Sequence, residues 1–443
     1  MRSTKKPNRK GQSAKAVAKG ISPGRPEFLR EVNARQLLRL LRLNGPCSRA
    51  DLSRQSGLSA PTVSSAISYL EQKSLVEAVG PGPSTAGRRP GLLRFNSSRG
   101  YVAGADIGRS VVRVGLADLD GKLVDKWVAE VPAHNSPESV ARQIIGAVRQ
   151  LRRRHQIPLA KILALAAGVP GITDPRAGIV LSAPILSHKW EAAPLRRILE
   201  KGSGIISTVE NDVNLAALGE SWCGRARGVQ NFVFLSIGTG VGAGIFVDGH
   251  LYHGSEWTAG EIGYLYVPGT GETPLALRRR GSLESVIGGE AIRNFWLTLH
   301  GSGARNGRGG SRRTDAFEIF DLAERGEKQA RVVLQQTARF LADAITNVCV
   351  ILDSSLIVFG GHLGTHPALF EATRRILDRN EFPRPELALS SLGREAQLFG
   401  ALWLALRVAD ARILPAAVDP HVSHVFPGNQ GLSFPVLGLA GPS

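Results

Sequence analysis

Two stretches of this 443-residue chain are built alike, and that repetition limits its possible folds more than any other feature. Residues 101–117 (YVAGADIGRSVVRVGLA) read as two strands around a turn that holds Asp106 and Gly108. The plan recurs with a strand over 231–237, the turn Gly238-Thr239-Gly240-Val241-Gly242 and a strand over 243–247. Apolar runs bounded by glycine are strand signals. After the first unit come the turn Asp118-Leu119-Asp120-Gly121, a helix over 136–154 and an apolar strand over 162–168. Val209-Glu210-Asn211-Asp212 then ends a strand and opens a helix over 213–221. After the second come helical segments at 289–300 and 316–353, and a strand over 356–359 ending at Gly360-Gly361. The body is therefore expected to form two α/β halves. Glycine turns bring backbone N–H groups close to phosphates, although hairpins also need glycine for backbone reasons. Each turn alone is a weak signal; two in one chain say more.

Halves of this kind look like the duplicated fold of actin and hexokinase, whose glycine turns face each other across a cleft. Charge separates a further module from that body. Residues 1–95 hold 18 Lys+Arg and 5 Asp+Glu, a net of +13. The whole chain carries 55 − 37 = +18, which leaves +5 for the other 348 residues. A basic module on a near-neutral body suggests an anionic partner for the first part. Residues 1–26 have eight basic residues and no acidic one, and read as a disordered arm or solubilising tail. A leucine face over 33–43 then marks a helix that Gly45-Pro46 stops. Ser48 caps a second helix over 49–55, and Ser59 caps a third with Pro61 in its first turn. Val63, Ile67 and Leu70 face inward, while Thr62, Ser65, Ser68 and Tyr69 face outward. Strands over 75–79 and 92–95 flank a loop ending in Arg88-Arg89-Pro90. The order is that of a winged helix-turn-helix, which reads double-stranded DNA with its second helix and meets phosphates or a narrow minor groove with a basic wing. The candidate DNA contacts are Arg49, Ser59, Thr62, Ser64, Ser65, Ser68, Arg88 and Arg89. A small bundle that binds protein is the competing explanation.

Composition excludes other classes. Cys47, Cys223 and Cys349 are the only cysteines and form no CxxC pair, so a disulfide scaffold and a multi-cysteine zinc site are excluded. No run of about 18 apolar residues predicts a membrane span, and no apolar segment follows the basic N-terminus as a secretory signal would require. A cytoplasmic protein is expected.

Over residues 30–408 the chain resembles the ROK family of repressors and sugar kinases, and within it the xylose- and N-acetylglucosamine-type repressors. SRADLSRQSGLSAPTVSSAISYLEQKSLV and GRRPGLLRFN carry the resemblance in the first module. In the body it rests on AGADIGRSVVRVGLADLDG, AAGVPGITDPRAGIVLSAP, ENDVNLAALGE, LSIGTGVGAGIFVDGHL, AGEIGYL, GSLES and IVFGG, in that order. It implies an α/β architecture: a winged helix-turn-helix over 27–95, a two-lobed body over 100–408 with lobes of about 100–225 and 226–408, and a tail over 409–443. It also implies a sugar pocket of Asn211, Asp212, Glu261, Tyr264 and Glu284. In the family's kinases the residue at Asp212 is the catalytic base, and a carboxylate suits that role. Asp212 as a helix cap and Glu284 as a solvated surface charge remain the structural alternatives.

Three departures shape the expectation. The family's zinc histidine is Tyr264 here, the stretch PGTGETPLALRRRGSLE lacks cysteine, and Ser282 stands at the last cysteine position. Neither tyrosine nor serine is a usual zinc ligand, so no metal is expected. Tyr264 then either meets the sugar or packs. The kinases' first phosphate turn, Asp-x-Gly-Gly-Thr, reads Asp106-Ile107-Gly108-Arg109-Ser110, and Arg109 restricts that backbone. Gly238, Thr239, Gly240, Gly360 and Gly361 keep the pattern, which makes Asp106, Gly108 and these five a vestigial ATP site. The insert 301–314 is expected to be a surface loop. The expectation is a sugar-responsive repressor on a palindromic operator, a homodimer or homotetramer, with no cofactor and no turnover. The alternative is a regulatory sugar kinase using ATP and Mg²⁺.

Overall fold

The computed structural model describes residues 26–81, 91–132, 135–268, 281–300, 314–380 and 385–414. The N-terminal module contains α1 (Pro26–Asn44), β1 (Cys47–Ser48), α2 (Arg49–Ser56), α3 (Ala60–Gln72), β2 (Val76–Pro81) and β3 (Gly91–Phe95). Local chemistry sets its boundaries. The Ser48 hydroxyl accepts the Asp51 N–H and the Asp51 carboxylate accepts the Ser48 N–H, a capping box that starts α2. Gly57 at φ 71° ends α2, and the Ser59 side chain caps α3. Leu37, Leu41, Leu52, Val63, Ile67 and Leu70 are fully buried between the three helices. β1 is too short to be legible in the sequence, and it completes a sheet of order β1-β3-β2. The first helix starts at Pro26, earlier than its leucine stripe shows.

The body contains two five-stranded sheets of one plan. In the first, β4 (Tyr101–Ile107), β5 (Val111–Asp118) and β6 (Leu123–Glu130) form an antiparallel meander. β7 (Ile162–Val169) and β10 (Ser207–Asn211) join it in parallel. Between them lie α4 (Pro137–Arg154), the hairpin β8 (Ile172–Asp174) and β9 (Ile179–Ser182), and α5 (Leu195–Ser203). α6 (Asp212–Cys223) leads to the second sheet. There β11 (Phe232–Ile237), β12 (Val241–Val247) and β13 (His250–Leu251) repeat the meander, and β14 (Leu356–Gly360) and β15 (Glu386–Leu389) add in parallel.

The longer helices that follow in the chain are α7 (Gly289–Leu299), α8 (Ala316–Glu324), α9 (Lys328–Leu352), α10 (Pro367–Leu377) and α11 (Ala396–Ile413); α11 returns to pack on β4 and β7 of the first sheet, so the first lobe is not confined to residues before 226 as expected. The continuous helix expected over 316–353 is thus two. Gly326 takes φ 98°, and Glu327 caps the next helix by accepting the Ala330 N–H. The body does not end at 408 either. α11 runs on to Ile413, because Ala409 and Leu414 remain buried. The rest of the expected tail, the 301–313 insert and residues 1–25 lie outside the described residues. No helix among the described residues is long and apolar enough to cross a membrane.

α6 and α11 cross closely at the centre of the body. A Cβ on Gly400 would overlap the Leu215 carbonyl, and one on Gly219 would overlap that of Ala396. Backbone atoms cannot yield as a flexible side chain would, so Gly400→Ala is expected to destabilise the protein by about 1–3 kcal/mol or more. A urea midpoint unchanged from the native chain would refute this. One contiguous apolar cluster runs from Leu37 and Phe95 through Leu406 and Ala409 of α11 to Trp222 of α6. Arg42 of α1 adds a paired hydrogen bond to Asp410 of α11 at 2.9 and 3.2 Å and lies 4.2 Å over the Phe95 ring. The N-terminal module is therefore packed on the body.

Candidate functional site

A cleft of about 1230 Å³ separates the lobes, and both glycine turns border it. It brings together the five residues expected to form a sugar pocket: Asn211, Asp212, Glu261, Tyr264 and Glu284. Of the vestigial ATP set, Gly108, Gly238, Thr239, Gly240 and Gly361 line the cleft, while Asp106 and Gly360 are buried behind its wall.

The β10–α6 corner positions the first pair. Asn211, not Asp212, is the helix cap. Its Oδ1 accepts the Asn214 N–H at 2.9 Å, and its Nδ2 donates to the Gly171 carbonyl at 2.9 Å. Asp212 is thereby left facing the cleft, with one oxygen accepting the Val213 N–H at 2.9 Å. Burial, then the nearby Asp106 and Glu261 charges, push its carboxyl up to about 7. Glu261 also lies above the usual carboxylate range, through burial and then the charge of Glu284. Glu284 accepts the Val241 N–H at 3.0 Å, so a carboxylate already sits on the second glycine turn. Tyr264 is 54% exposed and lines the cleft. This wall is rich in acceptors and suits a neutral, hydroxyl-bearing ligand better than an anion.

The first glycine turn differs from a phosphate cradle. Gly108 spends its N–H on the Val111 carbonyl at 2.9 Å. Asp106 is ion-paired with Arg113 at 2.9 Å, and the two face each other across β4 and β5. Arg109 projects exposed into the cleft. On the far side, Arg394 donates to His362 Nδ1 at 3.1 Å. Gly361 takes φ 76° with its Cβ position close to Ile237 backbone, so only glycine fits there. Sequence reading missed Arg113; a cation opposite Asp106 in a hairpin of known register was the available signal.

At the family's zinc positions, the Ser282 hydroxyl is buried and accepts the Val267 N–H at 2.9 Å. Residues 269–280 lie outside the described residues. Among the described residues, Asp321, Glu324 and His366 are spaced as metal ligands could be. Both ring nitrogens of His366 are engaged, however, by the Ala368 N–H and by Asp321.

On the N-terminal module, Ser64, Ser65 and Ser68 are exposed along α3. The Ser59 and Thr62 hydroxyls bond to each other at 2.8 Å within the cap. Arg49 is exposed but paired with Glu71 at 2.9 Å. Tyr69 does not face outward as expected. Its hydroxyl donates to Glu31 of α1 at 2.9 Å, and Arg30 and Lys73 lie 5.1 Å from its ring, because this side of α3 packs on α1. Arg88 and Arg89 lie outside the described residues.

Residues 102–408 match the model of the ROK family, and residues 30–77 match one described as winged helix-turn-helix DNA-binding. A xylose repressor of Bacillus spizizenii is 28% identical over 379 residues, which is 84% of this chain and 94% of the repressor. Among solved structures, a ROK family transcriptional regulator described as a homologue of the E. coli MLC protein superposes with TM-score 0.72. It is 23% identical and covers 88% of this chain and 99% of its own, a likeness of fold. A ROK hexokinase from Thermus thermophilus gives TM-score 0.58 at 30% identity over 70% of this chain and 99% of its own.

Proposed function

The chain belongs to the ROK family, and on that footing we propose that it is a sugar-responsive transcriptional repressor. The observation that carries this is one architecture: a winged helix packed, through Arg42 and Asp410, on a body whose cleft gathers Asp212, Glu261 and Glu284. A sugar bound by these carboxylates, Asn211 and Tyr264 draws the lobes together. The operator is released because the sugar favours the closed state. The protein acts in the cytoplasm as a homodimer or homotetramer on a palindromic site, reading bases with Ser64, Ser65 and Ser68 and phosphates with Arg49, Arg88 and Arg89.

No turnover and no cofactor are proposed. Arg113 neutralises Asp106, Gly108 has no free N–H, and Glu284 occupies the second turn, so three elements of a nucleotide cradle are already engaged. No zinc is proposed either, since a half-exposed phenol and a serine hydroxyl bonded to backbone are poor donors for that metal.

The test is selection of DNA sites from a random pool, followed by titration of the best site with a panel of sugars and sugar phosphates. One sugar is expected to weaken operator binding by roughly 5- to 150-fold, the effect of a coupling of about 1–3 kcal/mol. A specific site that no sugar moves would refute the sensor. One observation favours the kinase alternative: a carboxyl held near 7 suits a general base. Sugar-dependent ADP release from ATP and Mg²⁺ that disappears in Asp212→Asn would establish it.

A further inference from the structure

Glu210 on β10, an edge strand of the first sheet, pairs with His253, which lies just beyond β13, an edge strand of the second. His253 comes one residue after Tyr252, which follows β13, and its Nε2 lies 2.8 Å from Glu210 Oε2 on β10. Glu210 is 2% exposed. Its other oxygen accepts the Asn211 N–H at 2.9 Å and the Asn214 side-chain amide at 3.0 Å. The carboxylate therefore organises the corner that presents Asn211 and Asp212. His253 likewise organises the loop that ends at Glu261: its carbonyl accepts the Ala259 N–H, and its ring meets Trp257 edge-on at 5.5 Å. Trp257 is held at φ 61°, and Arg176, from the β8–β9 turn of the first lobe, lies 5.1 Å over its ring.

We propose that His253 is a positioning residue, an inter-lobe latch whose side chain holds the Glu261 loop of one lobe against the Asn211–Asp212 corner of the other. This rests on the reading of the cleft as a sugar site and adds to it a determinant of affinity that never touches the sugar. Among the described residues, the charges that act on the ring are that of Glu210, bonded to it, and that of Arg176. Burial lowers the basicity of His253, but the hydrogen bond and charge of Glu210 outweigh burial and Arg176 and hold it above the ordinary histidine value. A histidine whose basicity is raised by folding stabilises its contact while protonated, and the stabilisation is lost as pH rises through the raised value. The latch is therefore closed in mild acid and loosens in base.

The test uses the ligand-free protein, so it stands apart from any search for an effector. In carbon-13 histidine spectra of the native chain, the resonance absent from His253→Gln is expected to titrate above 6.5; a midpoint at or below 6.5 overturns the latch. Hydrogen exchange, corrected for the chemical rate and measured in Asp212→Asn so that Asp212 does not titrate in the same window, is expected to be at least about threefold faster over 207–214 and 252–262 at about pH 8.5 than at about pH 6. His253→Gln keeps a donor and loses the charge, so it is expected to abolish that pH difference. Equal protection at both pH values in Asp212→Asn with His253 intact overturns the proposal, as does a difference that persists when His253→Gln is added. If the variant fails to fold, Glu210→Gln serves to assign the resonance by its lowered midpoint, and an unmoved midpoint overturns the pairing.

Discussion

Asp212→Asn is expected to stabilise the protein while weakening its response to the effector. Folding raises the Asp212 carboxyl from 3.8 to about 7. Between those values the folded chain binds a proton that the unfolded chain releases, so stability falls as pH rises from about 4 to about 7. Three pK units correspond to about 4 kcal/mol. Asp212 is partly open to the cleft, and solvent screening reduces this to about 2 kcal/mol at pH 8. Asparagine has no proton to lose and keeps the shape. Its gain should be near zero below about pH 4, grow through the intermediate range and be complete above about pH 7. The cost falls on binding. A hydroxyl hydrogen-bonded to a charged acceptor contributes about 1.5–3 kcal/mol, so sugar affinity should fall roughly 10- to 100-fold. Urea midpoints at three pH values and calorimetric sugar titration check both halves. A variant less stable than the native chain at pH 8 would remove the assignment of Asp212 as a destabilised functional group.

What the sequence showed was local. The Ser48 cap, the Ser59 cap and the two glycine turns all lie within a few residues of the structure they determine. Where neighbouring residues compete for one role, sequence alone did not arbitrate. The cap considered for Asp212 belongs to Asn211, and that is what leaves the carboxylate facing the cleft. Gly326 broke a helix whose apolar period runs on either side of it, because periodicity registers faces and not the backbone angle between them. Tyr69 lies on the outward arc of α3 by periodicity, yet α1 reaches round to bond it. Pairs distant in the chain were illegible altogether. Glu210 and His253 are 43 residues apart, and Arg42 and Asp410 are 368 apart. Neither carries a spacing signal, and both connect units that had been read separately.

The second of these pairs supports the other large expected effect. Asp410→Ala is expected to destabilise the chain by about 3 kcal/mol and to disconnect the DNA module from the cleft. The Arg42 side chain is 2% exposed and Asp410 is 19% exposed. Removing one partner of a buried ion pair leaves the other charge uncompensated, typically at a cost of about 3–5 kcal/mol; the partial exposure of Asp410 favours the lower figure. Arg35 and Arg407 also face Asp410, and burial lowers the basicity of both while Asp410 opposes it. Asp120, pushed up to about 6 mainly by burial, is a weak substitute counter-charge. Replacing both partners, as Arg42→Met with Asp410→Leu, should recover most of the lost stability, since a buried pair is often matched by apolar groups of similar volume. The response to effector should not recover with it. α6 begins at Asp212, α11 packs across α6, Asp410 fixes α11 to α1, and α1 packs on α3. The decisive comparison is a double-mutant cycle read by operator affinity with and without effector. A double variant that folds, binds operator and is still released to the native extent would show that the sugar signal does not pass through Arg42 and Asp410.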